Sequence, residues 1–371
     1  MCGFDLFCGK KAVPPAWVYT RFLRKLMRYG KEIQPMVDAL IDRLEILLPD
    51  LGARLAVDSK ALRTPATSRH KDAVLEPDGR CDCDADWGTK TYKGKHKDGM
   101  PWEKVKRWFG YKLHFIVDAQ YELPLGYVVT KASTNDCPFL LPLVEDLDAR
   151  HPELVARARY LSADKGYDSK DNHETLFDEY GIRPIADIRA SWQDEPDPPR
   201  ALHPDRVDTV FYTEQGEVLC RCRDGAQTER DNYTPTSCEG FEQDRGTLKY
   251  RWPAKARGTV CTQQDLCQGG RQPEHGRIVR VPIDFDRRIF TPLPRDSKSW
   301  TREYKHRTAI ERVNSRYDVS FGFERHFIRG MKKMQLRAGL ALFVMLGMTV
   351  GWIEAGQRQR IRSLVGHPRA A

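Results

Sequence analysis

The run Arg54-Leu55-Ala56-Val57-Asp58 is short, largely apolar and ends on a carboxylate. A run of that length reads as a buried strand that delivers Asp58 at its C-terminal tip. The pattern recurs at Arg159–Ala163, which ends in Asp164. Between the two, Tyr111–Val117 and Tyr121–Thr130 are rich in β-branched and aromatic residues, and Asp118-Ala119-Gln120 separates them as a hairpin turn. Asp136–Arg150 has an N-cap residue and helical spacing, Ser169–Tyr180 follows Asp164 as a second helix, and Ile182–Ile188 gives one more strand. A hairpin followed by strand, helix and strand predicts an α/β fold: a mixed sheet with flanking helices and acidic residues at strand ends.

Outward from this core the composition changes in steps. Residues 1–50 are an N-terminal helical segment, with Val18, Phe22, Leu23 and Leu26 at helical spacing behind Pro14-Pro15 and a second helix from about Ile33 to Leu48. Residues 51–189 form the first part of the catalytic core, in which the polar, Gly- and Lys-rich stretch 62–107 reads as an extended loop or arm. Residues 190–285 are rich in proline and hold Cys220, Cys222, Cys238, Cys261 and Cys267, which predicts a small Cys/Pro-rich β or loop-rich insertion domain. The core resumes over 286–354, with Ser299 expected to cap a helix to about Tyr317 and a final helix over Met331–Glu354; residues 355–371 are a basic tail. The apolar run Ala338–Ile353 falls short of the roughly 20 residues that span a bilayer, so it reads as a buried helix and no membrane is expected.

The chain has 371 residues and a net charge of +9, and 40% hydrophobic content excludes disorder as the main state. The charge is segregated. Residues 87–112 hold eight basic and two acidic side chains and residues 287–337 fourteen and five, so the rest of the chain carries about −6. Both basic windows are interleaved with aromatics, which points to a nucleic-acid partner and makes Lys104, Lys106 and Arg107 candidate phosphate contacts. The first residues lack the order of a secretory leader, so the ten cysteines suggest a reducing cytoplasm and plain thiols rather than disulfides.

Three acids sit where their elements would aim them at one site: Asp58 and Asp164 at strand tips and Glu311 on a helix. Phosphoryl transfer on a nucleic-acid backbone needs charge stabilised on both attacking and leaving oxygens, which two divalent ions held by carboxylates supply; hard oxygen ligands favour two Mg²⁺ or Mn²⁺. In Tyr304-x-x-Arg307-x-x-x-Glu311 the spacing puts all three side chains on one helix face, so an arginine able to clamp a phosphate stands beside the acid.

Tyr304, Arg307 and Glu311 resemble the Y-x2-R-x3-E-x6-K signature of bacterial insertion-sequence DDE transposases. Leu-Ser-Ala-Asp164-Lys-Gly-Tyr-Asp looks like that family's second-aspartate motif, Leu-Ala-Val-Asp58-Ser-Lys-Ala-Leu is similar to its first, and Trp108–Asp118 is similar to its second strand. The resemblance implies a ribonuclease-H-like catalytic domain interrupted between the second Asp and the Glu. It also implies metal-dependent cleavage at the ends of an insertion sequence, strand transfer of the freed 3′-OH into target DNA, and a homodimer acting on paired ends of double-stranded DNA. Asp58 and Glu311 would hold the ions with Asp164 bridging. Two departures stand out. The signature's lysine falls at Asp318, with Arg316 or Arg325 as the expected substitute. The helical region that precedes Cys-Gly-Phe in such proteins would lie upstream of Met1, so a truncated copy with weakened end recognition is the expectation.

Lys165 reads as a phosphate contact or a solvated lysine, and Trp252 as a base-stacking residue of the insertion or part of its small core. Cys220-x-Cys222, Cys238 and Cys261-x5-Cys267 lack the spacing of a zinc knuckle, so structural thiols are expected and a structural zinc is the alternative. Cys81-x-Cys83, among Asp78, Asp82, Asp84 and Asp86, reads as a solvated acidic turn. Two other functions fit the same residues: a metal-dependent nuclease on the same fold that cuts without strand transfer, and a domesticated or decayed transposase that only binds DNA.

Overall fold

A computed structural model describes residues 14–66, 68, 81–96, 98–191, 199–203, 210–222, 232–252 and 277–362. A six-stranded sheet organises the chain. Its strands are β1 (Arg54–Arg63), β2 (Asp86–Lys95), β3 (Pro101–Asp118), β4 (Leu123–Lys131), β5 (Tyr160–Ala163) and β6 (Arg183–Ala186). β1 pairs antiparallel with β3 and parallel with β5, β5 pairs parallel with β6, and β4 pairs antiparallel with β3. The order β4-β3-β1-β5-β6, antiparallel in the first three and parallel in the last two, is the sheet of a ribonuclease-H-like fold. β2 is an addition that extends the N-terminal half of β3.

The alternation of side chains along β1 feeds two cores. Leu55 and Val57 enter one, with α2 (Ile33–Leu47), α3 (Leu140–Arg150) and the short α4 (Pro152–Ala156). Ala56 and Leu62 enter the other, with α7 (Thr308–Val319) supplying Ala309, Ile310, Val313 and Tyr317. The final helix α8 (Met331–Glu354) closes both: Leu336, Leu342 and Leu346 join the first core and Met334, Ala338, Ala341 and Met345 the second. Among the described residues α8 is the helix long and apolar enough by composition to cross a membrane; its nine buried residues show that this apolarity closes the two cores.

Several boundaries differ from expectation. The described part of 62–107 is built mainly of strands rather than a loop. β1 runs to Arg63, and β2 and the first half of β3 form a long hairpin. Its root is anchored: the buried Asp82 carboxylate accepts from the Tyr111 hydroxyl and from the Gly330 N–H at 2.9 Å. Propensity at 62–107 is low, and cross-strand pairing supplies what local sequence lacks. The helix expected from Ser299 begins earlier, because the Ser297 hydroxyl accepts from the Trp300 N–H at 3.1 Å and caps α6 (Lys298–Tyr304). A 3₁₀ turn over Lys305–Arg307 then separates α6 from α7.

Between β6 and α6 the chain forms two small antiparallel sheets. One has the order β10-β9-β8-β7, from β7 (Arg200–Ala201), β8 (Val210–Tyr212), β9 (Val218–Cys222) and β10 (Asn232–Pro235); the other, β11-β12-β13, is built from β11 (Ser237–Glu242), β12 (Thr247–Arg251) and β13 (Ile278–Pro282). They share a core of their own around Val210, Leu248, Tyr250, Val281 and Phe290.

Candidate active site

Register brings the two aspartates together. Ala56 pairs with Ser162 across the parallel β1–β5 ladder. Asp58 and Asp164 each lie two residues further on, so they stand side by side at neighbouring strands about 4.8 Å apart. Ser59 donates its N–H to Asp58 Oδ1 at 2.7 Å, and Gly166 donates its N–H to Asp164 Oδ1 at 2.7 Å, closing a 3₁₀ turn over Lys165–Tyr167. A Cβ at Gly166 would come within 2.8 Å of Asp164 Oδ1, which explains the glycine.

Burial first, and the negative charge of Asp164 second, push the Asp58 carboxyl up to about 6 from 3.8; the Ser59 N–H and the cations Lys90 and Arg307 act in the opposite direction. The phenol of the buried Tyr167 is held well above its usual range by burial and by the charges of Asp58, Asp136 and Asp164, so it too faces the acidic pair. Two carboxylates pressed together at the edge of a core, with hard oxygen donors, suit a divalent cation such as Mg²⁺ or Mn²⁺.

Glu311 arrives from the first turn of α7, on the sheet face shared by Ala56 and Asp58. Its carboxylate is exposed and meets Arg307 Nη2 at 3.2 Å, one turn back. Its carboxylate oxygens do not form a group with those of Asp58 and Asp164 in which all ligand atoms lie within 4.8 Å of one another. Among the described residues the group whose ligand atoms all fall within 4.8 Å of one another is Asp42, Glu45 and His151. That group is an ion-pair network with the protein's own cations, since Arg150 lies 2.5 Å from Asp38, Arg157 lies 3.1 Å from Glu45, and His151 lies 3.1 Å from both Asp38 and Asp42. Tyr304 stacks on Trp300 with ring centroids 4.6 Å apart, and the Arg307 guanidinium lies 5.7 Å from the Tyr304 ring. The Tyr304, Arg307 and Glu311 side chains therefore form a continuous strip despite the 3₁₀ turn between their helices.

Other expected residues fall differently. Arg316 is buried beneath α7, donating to the Glu122 carbonyl and standing 3.5 Å from the Glu122 carboxylate, so it does not reach solvent as a phosphate contact. A helix turns 100° per residue, which carries position 316 away from the face of Glu311 and brings Asp318 back to it. Asp318 is paired with Lys60 at 2.5 Å, so at this position β1 supplies a cation and the helix an anion. Lys165 is exposed beside Asp164, and Lys104, Lys106 and Arg107 are exposed on the β2–β3 hairpin. Trp252 is half-buried just after β12, its backbone N–H donating to the Arg277 carbonyl at 3.0 Å. Cys220 is buried and Cys238 partly buried; the side chain of Cys222, and Cys261 and Cys267 altogether, lie outside the described residues.

Sequence reasoning missed Lys90, Lys60 and the buried cluster around Asp168. Asp168 is fully enclosed and is bound by His173 Nε2 at 2.9 Å, the Arg189 N–H at 2.9 Å and Arg288 Nη2 at 2.9 Å, with Arg295 at 3.7 Å. The motif Asp164-x-x-x-Asp168 carried a signal for it, but its three arginines come from both ends of the intervening segment.

The chain matches the family described as the transposase DDE domain over residues 51–346, and it belongs to that family. It is 37% identical over 81 residues to the "putative transposase for insertion sequence element IS402" of Burkholderia cepacia; the match covers 20% of this chain and 36% of the relative, so the chain spans about a third of the length of that protein. Among solved structures it is similar to the cryo-EM structure of piggyBac transposase in a synaptic complex with hairpin DNA, at 10% identity and a TM-score of 0.32, over 84% of this chain and 52% of the other.

Proposed function

We propose that the protein is a DNA transposase that cleaves double-stranded DNA at the ends of an insertion sequence and joins the freed 3′-OH to target DNA, working in the cytoplasm as a homodimer on paired ends. The observation that carries this reading is the side-by-side placement of Asp58 and Asp164, with Asp58 held up to about 6. Asp58, Asp164 and Glu311 would hold two Mg²⁺ or Mn²⁺, with Asp164 shared. Bound there, the ions supply charge stabilisation to the attacking and leaving oxygens of an in-line displacement.

The chain's own residues do the rest. Arg307, released from Glu311, clamps the phosphate flanking the scissile bond, and the Trp300-Tyr304 stack gives it a rigid backing. Lys165 and the hairpin residues Lys104 and Lys106 contact the DNA backbone, while Arg107 faces the other side of the hairpin. Trp252 would stack at the cleaved end. The test is incubation with a duplex carrying the element's terminal sequence and Mg²⁺. Nicking by the wild type and none by Asp164→Asn is the expected result; equal products from both sink the reading, and nicking without joined products favours a nuclease.

A further inference from the structure

Among the described residues the β2–β3 hairpin stands out as an exposed ribbon. Every residue from Pro101 to Arg107 is exposed on both faces of the ribbon, and Trp87, Tyr92, Met100, Trp102 and Val105 are exposed large apolar side chains on it. From Trp108 to the turn at Met100 it spans eight residues, about 27 Å at roughly 3.3 Å each. The register decides what each face carries. Lys90 lies opposite Lys106, Tyr92 opposite Lys104 and Gly94 opposite Trp102, so these share one face; Thr89 with Arg107 and Thr91 with Val105 share the other. The first face holds three ammonium groups, none with an acidic partner among the described residues. Two lysines directly opposite each other destabilise a hairpin, so this arrangement is a cost in the free protein that an anion relieves. The Trp102 indole lies against Gly94, where a Cβ would come within 2.6 Å of it.

We infer that the Lys90-Tyr92-Lys104-Lys106 face of the hairpin is a DNA-gripping surface that enters the major groove of a B-form duplex. The inference rests on the DNA-processing reading above and adds its handle. A two-stranded ribbon fits the B-form major groove, whereas the A-form major groove of duplex RNA is too narrow, which commits the surface to DNA. The lysines meet phosphates, and Tyr92 and Trp102 pack on groove walls between them.

The test uses the full chain and a mixed-sequence 30-base-pair DNA duplex, with binding measured by anisotropy between about 50 and 300 mM NaCl. Each phosphate contact contributes about 0.9 to the slope of log affinity against log salt, so Lys90→Ala/Lys104→Ala/Lys106→Ala should lower the slope by about 2.7. Thr89→Ala/Arg107→Ala, on the other face, should lower it by no more than about 0.9. Lys90→Gln alone, with melting temperature and circular dichroism matched to wild type, should lower it by about 0.9 and so guards against misfolding of the triple variant. An unchanged slope in the triple variant, an equal loss from the other face, or equal affinity for an RNA duplex overturns the inference. So does a shift in sedimentation without a shift in slope, which would make the hairpin a subunit contact. If Lys-dependent binding persists while the wild type fails to nick element-end DNA, the transposase reading falls and the gripping surface stands.

Discussion

Asp164 and Asp168 lie one short turn apart in the same motif, yet the fold treats them in opposite ways. Asp168 is the more deeply buried, and it ends below the usual carboxylate range: burial pushes it up, but His173, the Arg189 N–H and Arg288 together more than offset that. Asp58, against Asp164, has backbone N–H support and distant cations only, and stays near 6. Burial alone therefore does not separate a structural acid from a functional one. Compensation does, because a carboxylate whose lone pairs are already taken by arginines has nothing left to offer a ligand.

The largest expected effect breaks this comparison if it fails. Asp168→Asn removes the buried carboxylate that pairs with Arg288 and His173 and stands 3.7 Å from Arg295, and should cost about 3–5 kcal/mol of stability in urea denaturation. Asp164→Asn should leave stability within about 0.5 kcal/mol of wild type and reduce DNA cleavage by at least about 10³-fold, a barrier of about 4 kcal/mol. Equal stability losses in the two variants would show that Asp164 is structural as well.

Next in size is a pH effect. In the folded state Asp58 takes up its proton as pH falls through about 6, whereas the unfolded chain waits until about 3.8. Between those values the folded state binds more protons, so this group makes the protein more stable as pH falls and costs up to about 3 kcal/mol above pH 6. Asp118 is also buried and raised to about 6, so the wild-type curve alone does not isolate Asp58. The difference in stability between Asp58→Asn and wild type should grow by up to about 3 kcal/mol from pH 4 to pH 7. A difference that stays flat over that range would remove the electrostatic coupling of the pair.

The parts of the fold set by local pattern were legible in the sequence. The strand that ends before Asp164, the hairpin turn after Asp118 and the last helix over Met331–Glu354 follow from apolar periodicity bounded by turn residues, whereas Asp58 lies in the middle of β1 rather than at its tip, because pairing with β3 carries that strand on to Arg63. What depends on register or on distant partners was not legible. The pairing that makes β2 and the first half of β3 a ribbon and sets Lys90, Lys104 and Lys106 on one face needs the β2–β3 register. The burial of Arg316 needs Glu122, whose backbone sits at φ 61° in the turn before β4, far from α7 in sequence. The Asp318 departure looked like a lost cation until β1 was seen to place Lys60 against it.

That pair gives the third test of the comparison, as an acid more fully compensated than Glu311 but less than Asp168. Lys60 and Asp318 are mostly buried, and a double-mutant cycle with Lys60→Met and Asp318→Asn should return a coupling of about 1.5 kcal/mol. A coupling near zero would mean that Lys60 is free to turn toward DNA.

The smallest expected effect on stability concerns Glu311, and its smallness is the point. The Arg307-Glu311 pair is an i,i+4 contact with the carboxylate 59% exposed, in the range where such pairs contribute about 0.3–0.5 kcal/mol. Glu311→Gln should therefore change the melting temperature by less than about 2 °C while reducing cleavage as severely as Asp164→Asn. The two outcomes separate because Arg307 holds Glu311 only weakly: exchanging that contact for a metal ion and a phosphate breaks one exposed ion pair, whereas recruiting Asp168 would dismantle a buried cluster that ties the intervening segment to the catalytic core. A Glu311→Gln protein that melts several degrees lower would place Glu311 with Asp168 among the structural acids and leave the aspartate pair without its third carboxylate.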